Sequence, residues 1–216
     1  MSDPVPTVFL VDDDAPFLRS IDRLLRGSGY ATECFSSASD FLTALRSEAN
    51  GCALIDLRMP GMDGMALQAA LAESANPLPV IFLTGQGDIP SSVAAMRQGA
   101  VDFLVKTAPK EAVIAAVERA LERDARERAG RDRDLQMRSR FDSLTQRERQ
   151  VLAELMLGRL NKQIAAKLGI HERSVKRHRT HLMGKLGVKS VAGLVQLAIE
   201  SGFDPEVAQP AQPTSD

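Results

Sequence analysis

The 216-residue chain has no tryptophan, a single tyrosine and two cysteines. Cys34 and Cys52 form no CxxC pair, which argues against a disulfide scaffold and a cysteine-based metal site; both sit in apolar, strand-like stretches and read as small buried thiols. No apolar run approaches the ~18 residues that a membrane span requires, so no membrane partner is expected. The opening MSDPVPT lacks a basic segment followed by an apolar one, so no secretion signal is read there and a cytoplasmic address is expected. Neither GxxxxGK[ST] nor GxGxxG occurs, which removes the glycine-loop nucleotide sites.

What is present is the composition of an ordinary globular protein, 44% hydrophobic and 25% charged, at a length that suggests two domains. The net charge of −1 hides a division. Residues 1–120 carry 9 Lys/Arg against 15 Asp/Glu, a net of −6, whereas residues 141–203 carry 11 against 5, a net of +6. A basic C-terminal half points to a polyanion; an acidic N-terminal half points to a cation, or to a small anion held through one.

In the first half, β-rich runs alternate with amphipathic helical ones. Strands are expected at Val8–Val11, Ala31–Cys34, Cys52–Leu57, Val80–Leu83 and Asp102–Val105, with Leu18, Ile21 and Leu25 on one helix face and Gly27 and Gly29 as stop signals. Five such units predict an α/β doubly wound fold with five parallel strands. The stretch after Leu121 is dense in alternating charge and reads as a solvated helical linker with a plausible break at Gly130. Beyond it, short helices separated by Gly158, Gly169 and Gly187 predict an all-α domain, and the Pro-rich PEVAQPAQPTSD a disordered tail. The expected division is therefore 5–122, a linker at 123–142, a helical domain at 143–203 and a tail at 204–216.

Open α/β sheets bind ligands at the carboxyl ends of their strands. Here those ends carry Asp12 and Asp13, then Asp56, Thr84 and Lys106. Carboxylates ~4 Å apart repel by roughly 4 kcal/mol at an effective dielectric near 20, so the cluster needs a cation, and an all-oxygen donor set favours Mg²⁺ over Zn²⁺. A lone aspartate beside a divalent ion, a hydroxyl and a lysine suits attack on a phosphoryl group, with Asp56 as nucleophile. A haloacid-dehalogenase-like phosphatase would need an acid two residues later, where this chain has Arg58. The third acid of the run, Asp14, precedes Ala15 and Pro16 and fits a helix N-cap, which leaves Asp13 for direct metal contact and Asp12 for support.

VFLVDDD, LIDLRMPGMDG, VIFLTG and GAVDFLVK, in that order and spacing, resemble the CheY-like receiver domain of bacterial two-component response regulators over residues 7 to about 122. The resemblance implies Asp12 and Asp13 as the acidic metal pair, Asp56 as phosphoacceptor, the Arg58 carbonyl as a metal ligand, Thr84 as switch hydroxyl, Phe103 as switch aromatic and Lys106 as the phosphate-pairing lysine. One departure stands out: the family usually follows its lysine with proline, often through a cis bond, and this chain reads Lys106, Thr107, Ala108, Pro109. A cis bond before a non-proline residue costs about 2.5–4 kcal/mol. A trans loop with a differently aimed Lys106 and a strained cis loop are therefore the alternatives.

In the second half, Thr145 and Glu148 have capping-box spacing ahead of Val151, Leu152 and Leu155, and Asn161 reads as the cap of NKQIAAKLG. Gly169 then makes the turn into HERSVKRHRTHLMGKL, giving a helix-turn-helix. At 100° per residue, Val175, Leu182 and Leu186 face one way and Arg173, Arg177, Thr180 and Gly184 the other, with Lys176 on the flank. Such a face suits a major groove, with Arg177 and Lys176 as base readers and Thr180 third. Arg173 and Arg179 complete the candidate DNA contacts, and His178 is expected to pack against the turn rather than bind metal. LTxRExxVL, NKQIAAKLGI and SVKRHRTHLMGKLGV resemble the LuxR-type helix-turn-helix over residues 143 to about 200; His171 departs from the family's common Ser or Thr cap.

Together the halves resemble a NarL/FixJ response regulator, with TGQGDIP and its Gln86 leaning to the FixJ branch. The implied function is a cytoplasmic transcription factor, not an enzyme, phosphorylated on Asp56 by a partner sensor histidine kinase with Mg²⁺ and then binding double-stranded promoter DNA. A homodimer on DNA is implied through Val191, Val195 and Ala198 of the last helix, and RNA polymerase is a further partner the resemblance admits. The alternative, prompted by the Lys106-Thr107 departure, is a receiver-driven regulator that works without phosphorylation.

Overall fold

The structure, a computed structural model, describes residues 5–74, 76–85 and 89–205, the last segment without the side chains of 89–91. Gln86 and most of the expected tail lie outside the described residues. The chain divides into two compact units, residues 1–129 and 130–216.

The first unit alternates β1 (Thr7–Val11), α1 (Ala15–Gly27), β2 (Ala31–Phe35), α2 (Ala38–Ala44), β3 (Gly51–Asp56), α3 (Gly64–Ala72), β4 (Val80–Thr84), α4 (Ile89–Arg97) and β5 (Asp102–Val105), and then enters α5 (Lys110–Asp142). All strand pairs are parallel, in the order β2-β1-β3-β4-β5. Alternate strand residues feed two cores. Phe9, Ile55 and Phe82 meet Phe41, Leu67 and Leu71 on one face, while Val8, Leu10, Leu54 and Ile81 meet Ile21, Leu25, Val113 and Val117 on the other. With both faces covered, β3 and β4 are buried throughout, as their unbroken apolar runs require. The order reverses between β1 and β3, so their carboxyl ends open the crevice in which the acidic residues fall.

Two expectations change in this unit. Cys34 is exposed rather than buried, because β2 is an edge strand with a largely exposed pattern; Cys52, on β3, is fully buried, and both thiols are free. The break expected at Gly130 is absent: α5 runs unbroken for 33 residues. A mid-helix glycine costs about 1 kcal/mol relative to alanine. Here i,i+4 ion pairs Arg123–Glu127 (2.7 Å) and Asp124–Arg128 (2.8 Å) support the preceding turns.

The second unit holds the end of α5 with α6 (Gln146–Met156), α7 (Asn161–Leu168), α8 (Glu172–Leu186) and α9 (Val191–Glu200). Its core gathers Phe141, Val151, Leu152, Ile164, Val175, Leu182, Leu186 and Leu194. The Thr145–Glu148 capping box is present. Gly169 closes α7 at φ +63°, a left-handed turn that glycine adopts without steric cost, before α8 begins. Asn161 is not the cap of α7: Leu160 occupies the cap position and its N–H donates to Gln163 Oε1 (2.8 Å). The Asn161 side chain is engaged elsewhere, accepting from Arg179 Nη1 at 2.6 Å. No single helix among the described residues is long and apolar enough to cross a membrane.

Candidate functional site

Four strand ends build the acidic site. β1 delivers Asp12 and Asp13, β3 ends on Asp56, β4 ends on Thr84, and Lys106 follows β5. The parallel register sets Val11 beside Ile55, Asp56 beside Leu83 and Thr84 beside Val105, so these positions fall on one rim. Gly64 lets α3 start hard against β3, since a Cβ there would stand 2.4 Å from the Asp56 carbonyl oxygen.

Asp12 (4% exposed), Asp56 (7%) and Thr84 (1%) are buried, while Asp13 is exposed. Lys106 Nζ lies 2.7 Å from Asp12 Oδ2 and 2.9 Å from Asp56 Oδ2. No cis peptide occurs among the described residues, so Lys106–Thr107 is trans. The trans loop does not divert Lys106. Backbone N–H groups hold the carboxylates from the other side: Asp14 donates to Asp12 Oδ1 (2.9 Å) and Arg58 to Asp56 Oδ1 (3.3 Å). Burial raises the Asp12 pKa from its ordinary value, against the Lys106 contact and the Asp14 amide, which lower it. Burial pulls the Lys106 ammonium down, but its hydrogen bonds to Asp12 and Asp56 outweigh it and the net shift is upward. The ammonium also lies over the Phe17 ring, 4.6 Å from its centroid.

Carboxylate oxygens of Asp12, Asp13 and Asp56 lie within 4.8 Å of one another. An all-oxygen set of this kind fits a hard divalent cation, with Asp13 exposed to solvent. Asp14 stands apart: it is the N-cap of α1 and accepts from the Phe17 N–H at 3.1 Å. Phe103 is half-buried, its ring 6.1 Å from that of Phe82.

In the second unit α8 turns Val175, Leu182 and Leu186 into the core and leaves Arg173, Lys176, Arg177, Thr180 and Gly184 exposed. His171 stands at the N-cap and makes no side-chain cap. Lys176 lies 3.5 Å from Glu172, and the Thr180 hydroxyl donates to the Lys176 carbonyl (3.2 Å). Arg179 is half-buried and tied to Asn161, which links α8 to the first residue of α7. His178 is half-buried, and burial with the neighbouring Arg177 lowers its pKa, which favours the neutral ring.

Two buried acids orient these helices in ways sequence reasoning missed: spacing shows Glu148 only as a capping-box partner and does not single out Glu154. Glu148 accepts from Lys185 Nζ on α8 (2.7 Å), and Glu154 from Lys167 Nζ on α7 and Arg159 Nη1 (both 2.6 Å). Their signal was faint: each occupies a helical position that apolar spacing assigns to the core side. One dimerisation candidate needs correction. Ala198 is fully buried against the domain's own core, so it has no surface for a partner; Val191 and Val195 are half-buried, and Ile199 is 65% exposed.

Residues 8–118 match the response regulator receiver domain family, and residues 142–198 match the bacterial regulatory proteins, luxR family. The response regulator protein TodT of Pseudomonas putida is 40% identical over 197 residues, 91% of this chain and 87% of the relative. The transcriptional regulatory protein FixJ of Rhizobium meliloti is 40% identical over 199 residues, 92% and 98% of the two chains. Among solved structures, the response regulator StyR superposes with a TM-score of 0.82 at 45% identity, covering 91% of this chain and all of that one. Full-length FixJ from B. japonicum gives 0.55 at 35% identity, covering 92% and 98%. Strand ends that gather acids around a lysine, a helix-turn-helix with a basic outer face, and relatives matched over both halves place the chain in the NarL/FixJ family of two-component response regulators, a transcription regulator with a receiver and a LuxR-type DNA-binding domain.

Proposed function

We propose that Asp56 accepts a phosphoryl group from a partner sensor histidine kinase and that the phosphorylated chain binds promoter DNA as a homodimer. The observation that carries this is the Lys106 ammonium, 2.7 Å from Asp12 Oδ2 and 2.9 Å from Asp56 Oδ2, beside a cluster in which oxygens of Asp12, Asp13 and Asp56 lie within 4.8 Å of one another. An Asp56 carboxylate oxygen attacks phosphorus, the bond to the kinase histidine breaks, and an acyl phosphate forms. Asp12, Asp13, Asp56 and the Arg58 carbonyl would hold Mg²⁺, which supplies neutralisation of phosphoryl oxygens. Lys106 pairs with one such oxygen and Thr84 donates to another. The movement of Thr84 towards phosphate frees the space into which Phe103 turns. A trans Lys106–Thr107 bond that still leaves Lys106 on Asp56 supports this reading over a receiver that works without phosphate.

We assign the receiver to residues 5–122 and the DNA-binding domain to 143–203, with the linker 123–142 forming the last turns of α5. Arg177 and Lys176 read base edges from the exposed arc of α8, Thr180 and Arg173 flank them, and Arg179 contributes through its hold on Asn161. Pairing of two domains uses the outer face of α9, with Val191, Val195 and Ile199, and RNA polymerase reads the bound dimer. A cytoplasmic location goes with these partners. The test is labelling by acetyl phosphate with Mg²⁺: the wild type takes up stoichiometric phosphate and Asp56→Asn takes up none, whereas persistent labelling of that variant refutes the assignment.

A further inference from the structure

Lys106 must keep its ammonium between two carboxylates, 2.7 Å and 2.9 Å away, on a flexible stem and in a loop whose next residue is Thr107 rather than a ring-stiffened proline. An aromatic face supplies part of that restraint. Nζ stands 4.6 Å from the centroid of the Phe17 ring, inside the ~6 Å range over which a ring quadrupole attracts a cation. The lysine side chain is only 16% exposed, so water screens this attraction weakly. Phe17 is itself held from two directions. Its N–H donates to Asp14 Oδ1 (3.1 Å), and its side chain packs on the core formed by α1, α5 and the sheet.

From this geometry we infer that Phe17 is a positioning residue for phosphoryl transfer, its ring face holding Lys106 Nζ between Asp12 and Asp56. The inference rests on Asp56 being the phosphoacceptor. It gives the third aspartate of VDDD a role at one remove: Asp14 fixes the first turn of α1, that turn fixes the ring, and the ring restrains the lysine. Leucine in place of Phe17 would keep an apolar side chain over the same core but present no quadrupole, and tyrosine would keep both.

The test measures the rate of labelling by acetyl phosphate and Mg²⁺ on the full-length protein carrying Phe17→Leu or Phe17→Tyr, each also in a Lys106→Met background, with a thermal melt of every variant. Phe17→Leu is expected to slow labelling about 3- to 10-fold and Phe17→Tyr to stay within about twofold of wild type. Without the Lys106 ammonium, Phe17→Leu should add nothing further, since the two residues act as one unit. Should Phe17→Leu melt early, Phe17→Met replaces it. Equal losses in the leucine and tyrosine variants, no loss in either, or an undiminished leucine effect in the Lys106→Met background would each overturn the positioning role. An Asp56→Asn control that still labels would instead overturn the acceptor assignment beneath it.

Discussion

Lys106 Nζ and Asp56 Oδ2 stand 2.9 Å apart although the bond after Lys106 is trans and the next residue is Thr107 rather than proline. The lysine donates to Asp12 at the same time, so removing it does two things. It strips a cation from the site where phosphoryl oxygens gain charge in the transition state, and it leaves two buried carboxylates facing each other. Lys106→Met is therefore expected to slow acetyl phosphate labelling by about 100-fold, the lower end of the range for loss of one preorganised donor. Quench-flow labelling at saturating Mg²⁺ measures it; an unchanged rate would mean that Lys106 serves the resting structure alone.

Asp13 and Asp14 of VDDD are expected to separate under substitution. Asp13 is exposed at the rim of the carboxylate cluster, whereas Asp14 spends its carboxylate on the Phe17 N–H. Asp13→Asn should weaken Mg²⁺ binding about tenfold or more in a calorimetric titration, because a hard cation loses a charged ligand. Asp14→Ala should leave that affinity nearly intact and cost about 1 kcal/mol of stability through the lost N-cap. A reversed pattern would make Asp14 the ligand.

Much of this arrangement was legible because it depends on strand ends. Hydrophobic runs located all five strands, and once a parallel sheet is assumed, residues just past each run must share a rim; Asp12, Asp56, Thr84 and Lys106 followed from that. What period and spacing could not show are contacts made at a distance in sequence. Asp124 sits in a charged stretch that reads as solvated, yet it is 1% exposed, accepting from the Gly51 N–H (3.0 Å) and from Arg128. Asn161 has the chemistry of a cap but is drawn to Arg179, eighteen residues on. Ala198 follows the apolar spacing of α9, and spacing alone does not say whether an apolar residue faces its own core or a second copy.

Arg177 tests the proposed base-reading arc. Its side chain is exposed, while its neighbour Arg179 is held by Asn161. Arg177→Ala is expected to lower affinity for the specific promoter by roughly 1–3 kcal/mol and to change binding to random DNA little. Titrations over a salt series decide the matter: an equal loss on both DNAs, with a shallower salt slope, would make Arg177 a phosphate contact.

Glu148 offers a prediction about pH. Burial of its carboxylate works to raise the pKa, but the Lys185 ammonium at 2.7 Å and the Thr145 N–H and hydroxyl outweigh it, so the folded-state pKa falls below the usual glutamate value. A carboxylate depressed on folding contributes stability that is fully present above its unfolded pKa and is lost as pH falls through the folded one. Denaturant unfolding of the second unit, followed from neutral pH downward, should thus show stability constant to about pH 5 and declining below the ordinary glutamate range. Glu148→Gln cannot titrate and loses the charge that pairs with Lys185. The variant should be less stable at neutral pH by about 1–3 kcal/mol, with the partly exposed lysine keeping the loss below that of a fully buried pair, and its decline towards acid should be shallower. Since Lys185 belongs to α8, the same substitution should also weaken promoter binding, through the setting of the helix rather than through any contact with DNA. A Glu148→Gln variant with wild-type acid sensitivity would overturn the assignment of that sensitivity to Glu148.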